Sequence, residues 1–199
     1  YVIDDDLYVV EYATAKVWRV TSTPDVEEKA PRLSPNGAKV AYVVANNLQV
    51  HDLATAKSVA VTTDGSPSLL NGTLSWVYWE EVFGRQDHGY WWAPDSKAIV
   101  LLKTDESNVP ELTFMDFKPA KWRTVSQRYP KAGEANPQVT VHCALLDGEP
   151  KVVPVALESK ELEYVARVNW HPSSHHFVVQ AMNRAQNAIE LHWIDRATG

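Results

Sequence analysis

Cysteine is all but missing from this chain: Cys143 stands alone, so no disulfide forms within it. Long apolar runs are missing too. None approaches the roughly 20 residues that a helix needs to cross a bilayer. The start, Tyr1-Val2-Ile3-Asp4, lacks a methionine and the basic, apolar and small-residue zones of a signal peptide. Positive charge is scarce and scattered, with 19 Lys and Arg against 25 Asp and Glu for a net charge of −6. Nothing there forms the basic stripe that tracks a polyanion, so nucleic-acid partners are not expected. Catalytic signatures are also absent. There is no Gly-x-Ser-x-Gly elbow, no glycine-rich phosphate loop and no His-Glu-x-x-His pair, and the eight glycines are dispersed. By itself the stretch is not expected to catalyse a reaction.

What the chain does have is apolar residues at 45% of its length, enough to fill a core. It also has two phrases that recur in strict alternation. The first is a proline turn leading into an apolar strand. It reads Leu33-Ser34-Pro35-Asn36-Gly37 before Val40 to Val44, Trp92-Ala93-Pro94-Asp95-Ser96 before Ile99 to Leu102, and Trp170-His171-Pro172-Ser173-Ser174 before Phe177 to Val179. Proline presets φ for a tight turn and Asn, Asp, Ser or Gly completes it, so each copy predicts a hairpin bend. The second phrase is an alternating strand that closes on a polar turn: Leu7 to Ala15, Leu48 to Ala56, Leu191 to Gly199 and, more loosely, Leu112 to Phe117.

Leu7 and Leu48 lie 41 residues apart, within the roughly 40–50 of a four-stranded propeller blade; the later intervals of 64 and 79 residues imply insertions. The predicted fold class is all-β. Residues 1–199 read as part of a β-propeller, about three blades of four antiparallel strands, with a short helical insertion. Both ends fall in the same phase of the repeat and propellers close with about four to eight blades, so the chain reads as a fragment whose open sheet edges favour self-association. A β-sandwich would also give short strands, but no reason for two phrases to recur in fixed order.

The first insertion spans about residues 70–88, where Leu74, Val77, Tyr78 and Val82 recur near helical spacing and Gly84 supplies a stop. In the second, the prolines and glycine of Ser126 to Pro137 predict an ordered loop without regular structure. Beyond it Val139 to Cys143 alternates, Asp147-Gly148 turns and Lys151 to Val155 returns, a hairpin pattern.

Within the first insertion, Glu80-Glu81 sits in Trp76-Val77-Tyr78-Trp79-Glu80-Glu81-Val82-Phe83. Two carboxylates beside so much aromatic bulk call for a cationic partner, because bare charges are costly to bury. Arg85 is the plain structural choice; an external ammonium is the functional one. Other candidates read as structural. His171, His175 and His176 fall in a turn, where the helical geometry of a zinc pair is missing. Asp4-Asp5-Asp6 lacks the ligand spacing of a calcium loop and reads as a solvated turn. Cys143 sits in an alternating strand as a small packing residue. Asn71-Gly72-Thr73 matches an N-glycosylation acceptor, a pattern frequent by chance.

The segment Trp76 to Phe83, followed by Tyr90-Trp91-Trp92-Ala93-Pro94-Asp95, closely resembles the propeller domain of the dipeptidyl peptidase IV family among prolyl-oligopeptidase-type serine peptidases. Asn108-Val109-Pro110 and Tyr129-Pro130-Lys131-Ala132-Gly133 with Asn136-Pro137 add to the resemblance, and the four segments occur in the same order. It implies that Glu80 and Glu81 bind the free α-amino group of a peptide whose N-terminal dipeptide is released. The catalytic serine, aspartate and histidine would lie in a C-terminal α/β-hydrolase domain outside this chain, and a further arginine ahead of Tyr1. No residue here is assigned as catalytic, and no cofactor or metal is called for. Ser75 and Trp79 stand where acidic residues often occur in the family. The implied partners are peptides with a free N-terminus, the hydrolase domain of the parent chain and a second copy in a homodimer. The implied location is periplasmic or extracellular, with membrane association through a segment ahead of Tyr1. The alternative reading is a non-catalytic propeller, an interaction module or pseudo-peptidase.

Overall fold

The computed structural model describes residues 1–23, 26–158 and 161–199. These residues fold as consecutive antiparallel sheets. The first has β1 (Val2–Ile3), β2 (Asp6–Glu11) and β3 (Lys16–Arg19). The second runs in order through β4 (Lys29–Leu33), β5 (Lys39–Val44), β6 (Asn47–Asp52) and β7 (Lys57–Ala60). The third is built on the long central strands β10 (Ala98–Asp105) and β13 (Gln138–Leu145), with β14 (Lys151–Pro154) outside β13 and two short pieces, β8 (Leu69–Asn71) and β9 (Tyr90–Trp92), on the other side of β10. The last has β15 (Leu162–Trp170), β16 (His176–Asn183) and β17 (Ile189–Asp195). The all-β propeller expectation is met, the strands being distributed as three, four, five and three.

Strand alternation decides how the sheets stack. On β5, Val40 and Tyr42 pack toward Leu7 and Val20 of the first sheet, while Ala41 and Val43 share a core with Ile99 and Leu101 of β10. On β10 the residues between, Val100 and Leu102, join Val141, Cys143, Val165, Phe177 and Val179 in the core against the last sheet. Each central strand is therefore apolar on both sides. A fully buried residue of this kind contributes about 1.5–3 kcal/mol over its exposed form.

The proline turns are the connectors between sheets. Asn36 N donates to Ser96 Oγ (3.1 Å), and the residue one repeat on, Asp95, donates through its N to Ser174 Oγ (2.9 Å). Trp92 Nε1 donates to Arg32 O (3.2 Å) and Trp170 Nε1 to Trp91 O (3.0 Å), again one repeat apart. Gly37, Ser96 and Ser174 occupy the same left-handed corner, at φ of +70°, +62° and +62°. The recurring phrase thus encodes a bend and a hydrogen bond to the neighbouring sheet.

Three expectations are corrected. Leu112 to Phe117 is no blade strand: among the described residues β11 (Glu111–Asp116) pairs only with β12 (Arg123–Arg128), a hairpin leaving the third sheet between β10 and β13. Ser126 to Arg128 are consequently extended, because Thr113 and Glu111 offer them a partner strand; the irregular loop begins at Tyr129. The Asp4 to Asp6 turn is only partly solvated. Asp6 is buried, ion-paired with Arg19, and accepts from Thr23 N (2.9 Å), and these bonds hold its carboxyl below the usual range. Asn71 of the glycosylation pattern is fully buried, donating to Asn46 O (3.1 Å) and Asp64 (3.2 Å), so the folded chain does not present it to a glycosyl donor. The Val139 to Val155 hairpin forms as predicted, with Cys143 opposite Val153. Burial pushes the Cys143 thiol up to about 12, as befits a packing residue.

Candidate functional site

The helical insertion leaves the third sheet through a break in one strand. β8 pairs with Lys103, Thr104 and Asp105 of β10, and β9 with Ile99, Val100 and Leu101. Between them, at Leu102, the chain departs and returns. Gly72 N donates to Leu102 O (3.0 Å), Leu102 N to Gly89 O (2.8 Å), and Gly89 N to Gly72 O (2.8 Å), which ties off the stem. Glycine is needed at both ends. Gly72 has φ of +80°, and a Cβ at Gly89 would stand 2.9 Å from Leu74 Cδ2.

At the tip, Tyr78–Val82 form a helical turn with the wide π-type winding, closed by Phe83 N donating to Tyr78 O (2.8 Å). Gly84 and Arg85 end it at positive φ. The predicted helix is present, but as this single widened turn. Such turns recur at functional sites because they redirect side chains. Its apolar side is anchored. Tyr78 is fully buried, and its hydroxyl accepts from Val165 N (3.0 Å). Phe83 lies between Tyr78 and Trp91, with ring centroids 6.2 and 5.7 Å away. Arg167 donates to Val82 O (2.8 Å) and stands over the Phe83 ring at 5.5 Å, a cation–π contact.

The four segments singled out in the sequence converge on this turn. Trp76 packs on Tyr129 with centroids 4.4 Å apart, and Tyr129 N donates to Pro110 O (2.9 Å). Asn136 Nδ2 donates to Glu163 (2.7 Å) and Tyr164 Oη (2.9 Å) on β15, and Tyr164 faces Tyr78 at 6.5 Å. Trp91 supports Phe83 as described above.

The two adjacent carboxylates have different surroundings. Glu80 is held by Arg85, whose Nε lies 3.1 and 3.0 Å from the two carboxylate oxygens and whose Nη2 donates to Oε1 at 2.7 Å. These bonds keep its carboxyl below the ordinary value. Glu81 is exposed and makes no hydrogen bond or ion pair among the described residues. It lines a cavity of ≈ 600 Å³ together with Val77, Val82, Tyr164, Arg167 and Gln180. The Arg85 pairing expected on structural grounds is therefore present for Glu80 and not for Glu81. Sequence reasoning missed Arg167 and Tyr164 at this cavity; the available signal was a lone arginine within the apolar strand Leu162–Trp170.

The remaining candidates do not join the site. His171 bonds Ser173 Oγ (2.8 Å) and His176 stacks on Trp193 at 5.3 Å. Among the described residues no group of three or more His, Cys, Asp or Glu side chains is placed to hold a metal ion. No helix there is long and apolar enough to cross a membrane.

Residues 1–199 match the family described as the dipeptidyl peptidase IV N-terminal region. The chain is similar to a probable dipeptidyl peptidase 4 of Emericella nidulans, 30% identical over 205 residues, covering 96% of this chain and 26% of the relative. A second such protein, from Aspergillus clavatus, is 32% identical over 197 residues, covering 94% and 25%. The crystal structure of Porphyromonas gingivalis dipeptidyl peptidase 4 superposes with a TM-score of 0.81 at 29% identity, over 96% of this chain and 27% of that one. The chain thus spans about a quarter of the length of these relatives. By its sheets, by the segments gathered at the helical turn and by a match along its whole length, the chain belongs to the dipeptidyl peptidase IV N-terminal region family.

Proposed function

We propose that this chain is the substrate-recognition part of a serine-type dipeptidyl peptidase, with Glu81 and Glu80 receiving the α-ammonium of a peptide. The observation that carries the reading is the unpaired Glu81 carboxylate at a ≈ 600 Å³ cavity, on a turn held rigid by Tyr78, Phe83 and Arg167. An ammonium has three donors and seeks several acceptors; Glu81 offers both oxygens, and Glu80 retains lone pairs not used by Arg85. Arg85 also neutralises one of two neighbouring acids, so one added positive charge balances the pair. Anchoring the amine fixes how far along a peptide the chain reaches, which sets the bond presented to a nucleophile elsewhere in the parent protein. The triad, the hydrolase domain and the location outside the cytoplasm follow from the same family reading.

The test is kinetic. In the full-length protein, Glu81→Gln should lower kcat/KM for dipeptide release by about tenfold to a hundredfold, the worth of one charge-assisted hydrogen bond. Equal turnover of free and N-acetylated substrates by the unaltered protein would overturn the reading.

A second role, as an interaction module, is favoured by the β11–β12 hairpin, which exposes Phe114, Met115, Phe117 and Trp122. Self-association through it would show in light scattering as a dimer that dissociates on Phe117→Ser with Trp122→Ser. A strictly monomeric protein would remove that reading.

A further inference from the structure

The helical turn separates two cavities. Val77, Glu81 and Val82 face the one above; Trp76 and Trp79 face another, of ≈ 620 Å³, bounded by Leu70, Glu106, Glu111 and Arg128. That volume suits a small organic ligand. Its most unusual wall is Glu106, only 9% exposed. The backbone there is fully used, Glu106 N donating to Ser68 O (2.8 Å) and Val109 N to Glu106 O (2.9 Å). The carboxylate makes no hydrogen bond or ion pair among the described residues. Arg128 is the cation whose charge acts on it, yet its Nη1 donates to Val109 O (2.8 Å) rather than to the acid. A buried carboxylate left in this way is costly unless something else meets it.

The tryptophans indicate what that is. Trp76 is held by its packing on Tyr129, Trp79 projects from the helical turn, and indole faces attract organic cations. Two carboxylates and one guanidinium leave the lining with an excess of negative charge. We propose that this cavity is a second ligand site, which takes an organic ammonium with its charged nitrogen on Glu106 and its apolar body along Trp76 and Trp79. The site is independent of the peptide-amine reading, because neither Glu80 nor Glu81 lines it.

The pH dependence has a definite sign. Burial pushes Glu106 up to about 7, with Arg128 opposing; the other charged side chain lining the cavity is Glu111 on β11. A bound ammonium favours the ionised acid, so binding below this value must first expel a proton. Affinity rises with pH toward 7 and levels off above it.

The test uses the full-length protein in a Glu81→Gln background, which weakens the peptide-amine candidate, and titrates phenethylammonium against its neutral analogue 2-phenylethanol by calorimetry. At about pH 8 the ammonium should bind about tenfold or more tightly than the alcohol, and the gap should shrink near about pH 5.5. Glu106→Gln should abolish the gap, with thermal melting to check the fold. Trp79→Leu, on the half-exposed turn, should weaken both ligands and keeps the question open to test if Glu106→Gln does not fold. Equal binding of the two ligands, no binding, or a gap that survives Glu106→Gln would overturn the proposal.

Discussion

The second and third sheets share a turn phrase, a central strand apolar on both faces and the same pair of connecting hydrogen bonds, yet they differ at one strand. In the second sheet β4 runs beside β5 with a single register irregularity near Ala30. In the third, the corresponding strand is cut into β8 and β9, and the gap admits an excursion that carries Glu80, held by Arg85, and Glu81, which lines a cavity. The ladder on the other side of β10 is uninterrupted from Ala98 to Asp105. A sheet that packs on both faces can thus surrender part of one edge without losing its place in the stack. The second sheet is a plain four-stranded sheet; the third carries the helical turn and the proposed site on it.

The sharpest way to separate the two sheets is to empty a core in each. Cutting a large buried side chain to alanine costs about 2–5 kcal/mol, toward the upper end for an aromatic. Tyr78→Ala should lower Tm and also collapse the proposed dipeptide-releasing activity of the full-length protein, because the turn loses its anchor on Val165. Leu48→Ala in the second sheet should lower Tm with kcat/KM little changed. Parallel loss of activity in both variants would break the distinction. Next in size is Glu81→Gln, at about 1.4–2.7 kcal/mol in kcat/KM by the fold-change above, with no change in Tm. Gly89→Ala tests the stem. Its new methyl meets Leu74 and Thr73, so a loss of about 1–3 kcal/mol by chemical denaturation is expected, whereas Gly37→Ala, with open space around it, should be penalised only for its positive φ.

Smaller still is Ser174→Ala, which leaves Asp95 N without its acceptor and should cost about 1 kcal/mol in denaturant titrations, with Ser96→Ala similar. The smallest effect is a pH dependence at Glu80. Arg85 holds its folded carboxyl below the ordinary 4.5, so the stability from that pair is complete above pH 4.5 and is lost as pH falls through the lower folded value. The stability difference between the unaltered protein and Glu80→Gln should therefore be flat at neutral pH and close in acid, and high salt should reduce it.

Much of this was readable in the chain. The proline turns named the sheets because their residues have local reasons to bend, and Trp92 and Trp170 repeat because each serves the same carbonyl one sheet back. The helical turn was visible in the spacing of Val77, Tyr78 and Val82. The β11–β12 hairpin was not. Leu112 to Phe117 alternates as any strand does, and nothing local distinguishes a strand that joins a sheet from one that leaves it. Asp6, Asn71 and Glu106 were hidden for a related reason: each lies in a polar stretch that resembles a surface turn, and only distant chain, at Arg19, Asn46 and Ser68, covers them. Burial imposed from afar leaves no periodicity to read.

The closure of Gly72 and Gly89 on Leu102 has one further implication. Since departure and return meet at a single point of an unbroken strand, exposed residues of the excursion can be exchanged without shifting any rung of the neighbouring ladder, provided that Tyr78 and Phe83 keep their anchorage. The tip behaves as a graft. Side chains on its open face can change while the stack that carries it keeps its alignment.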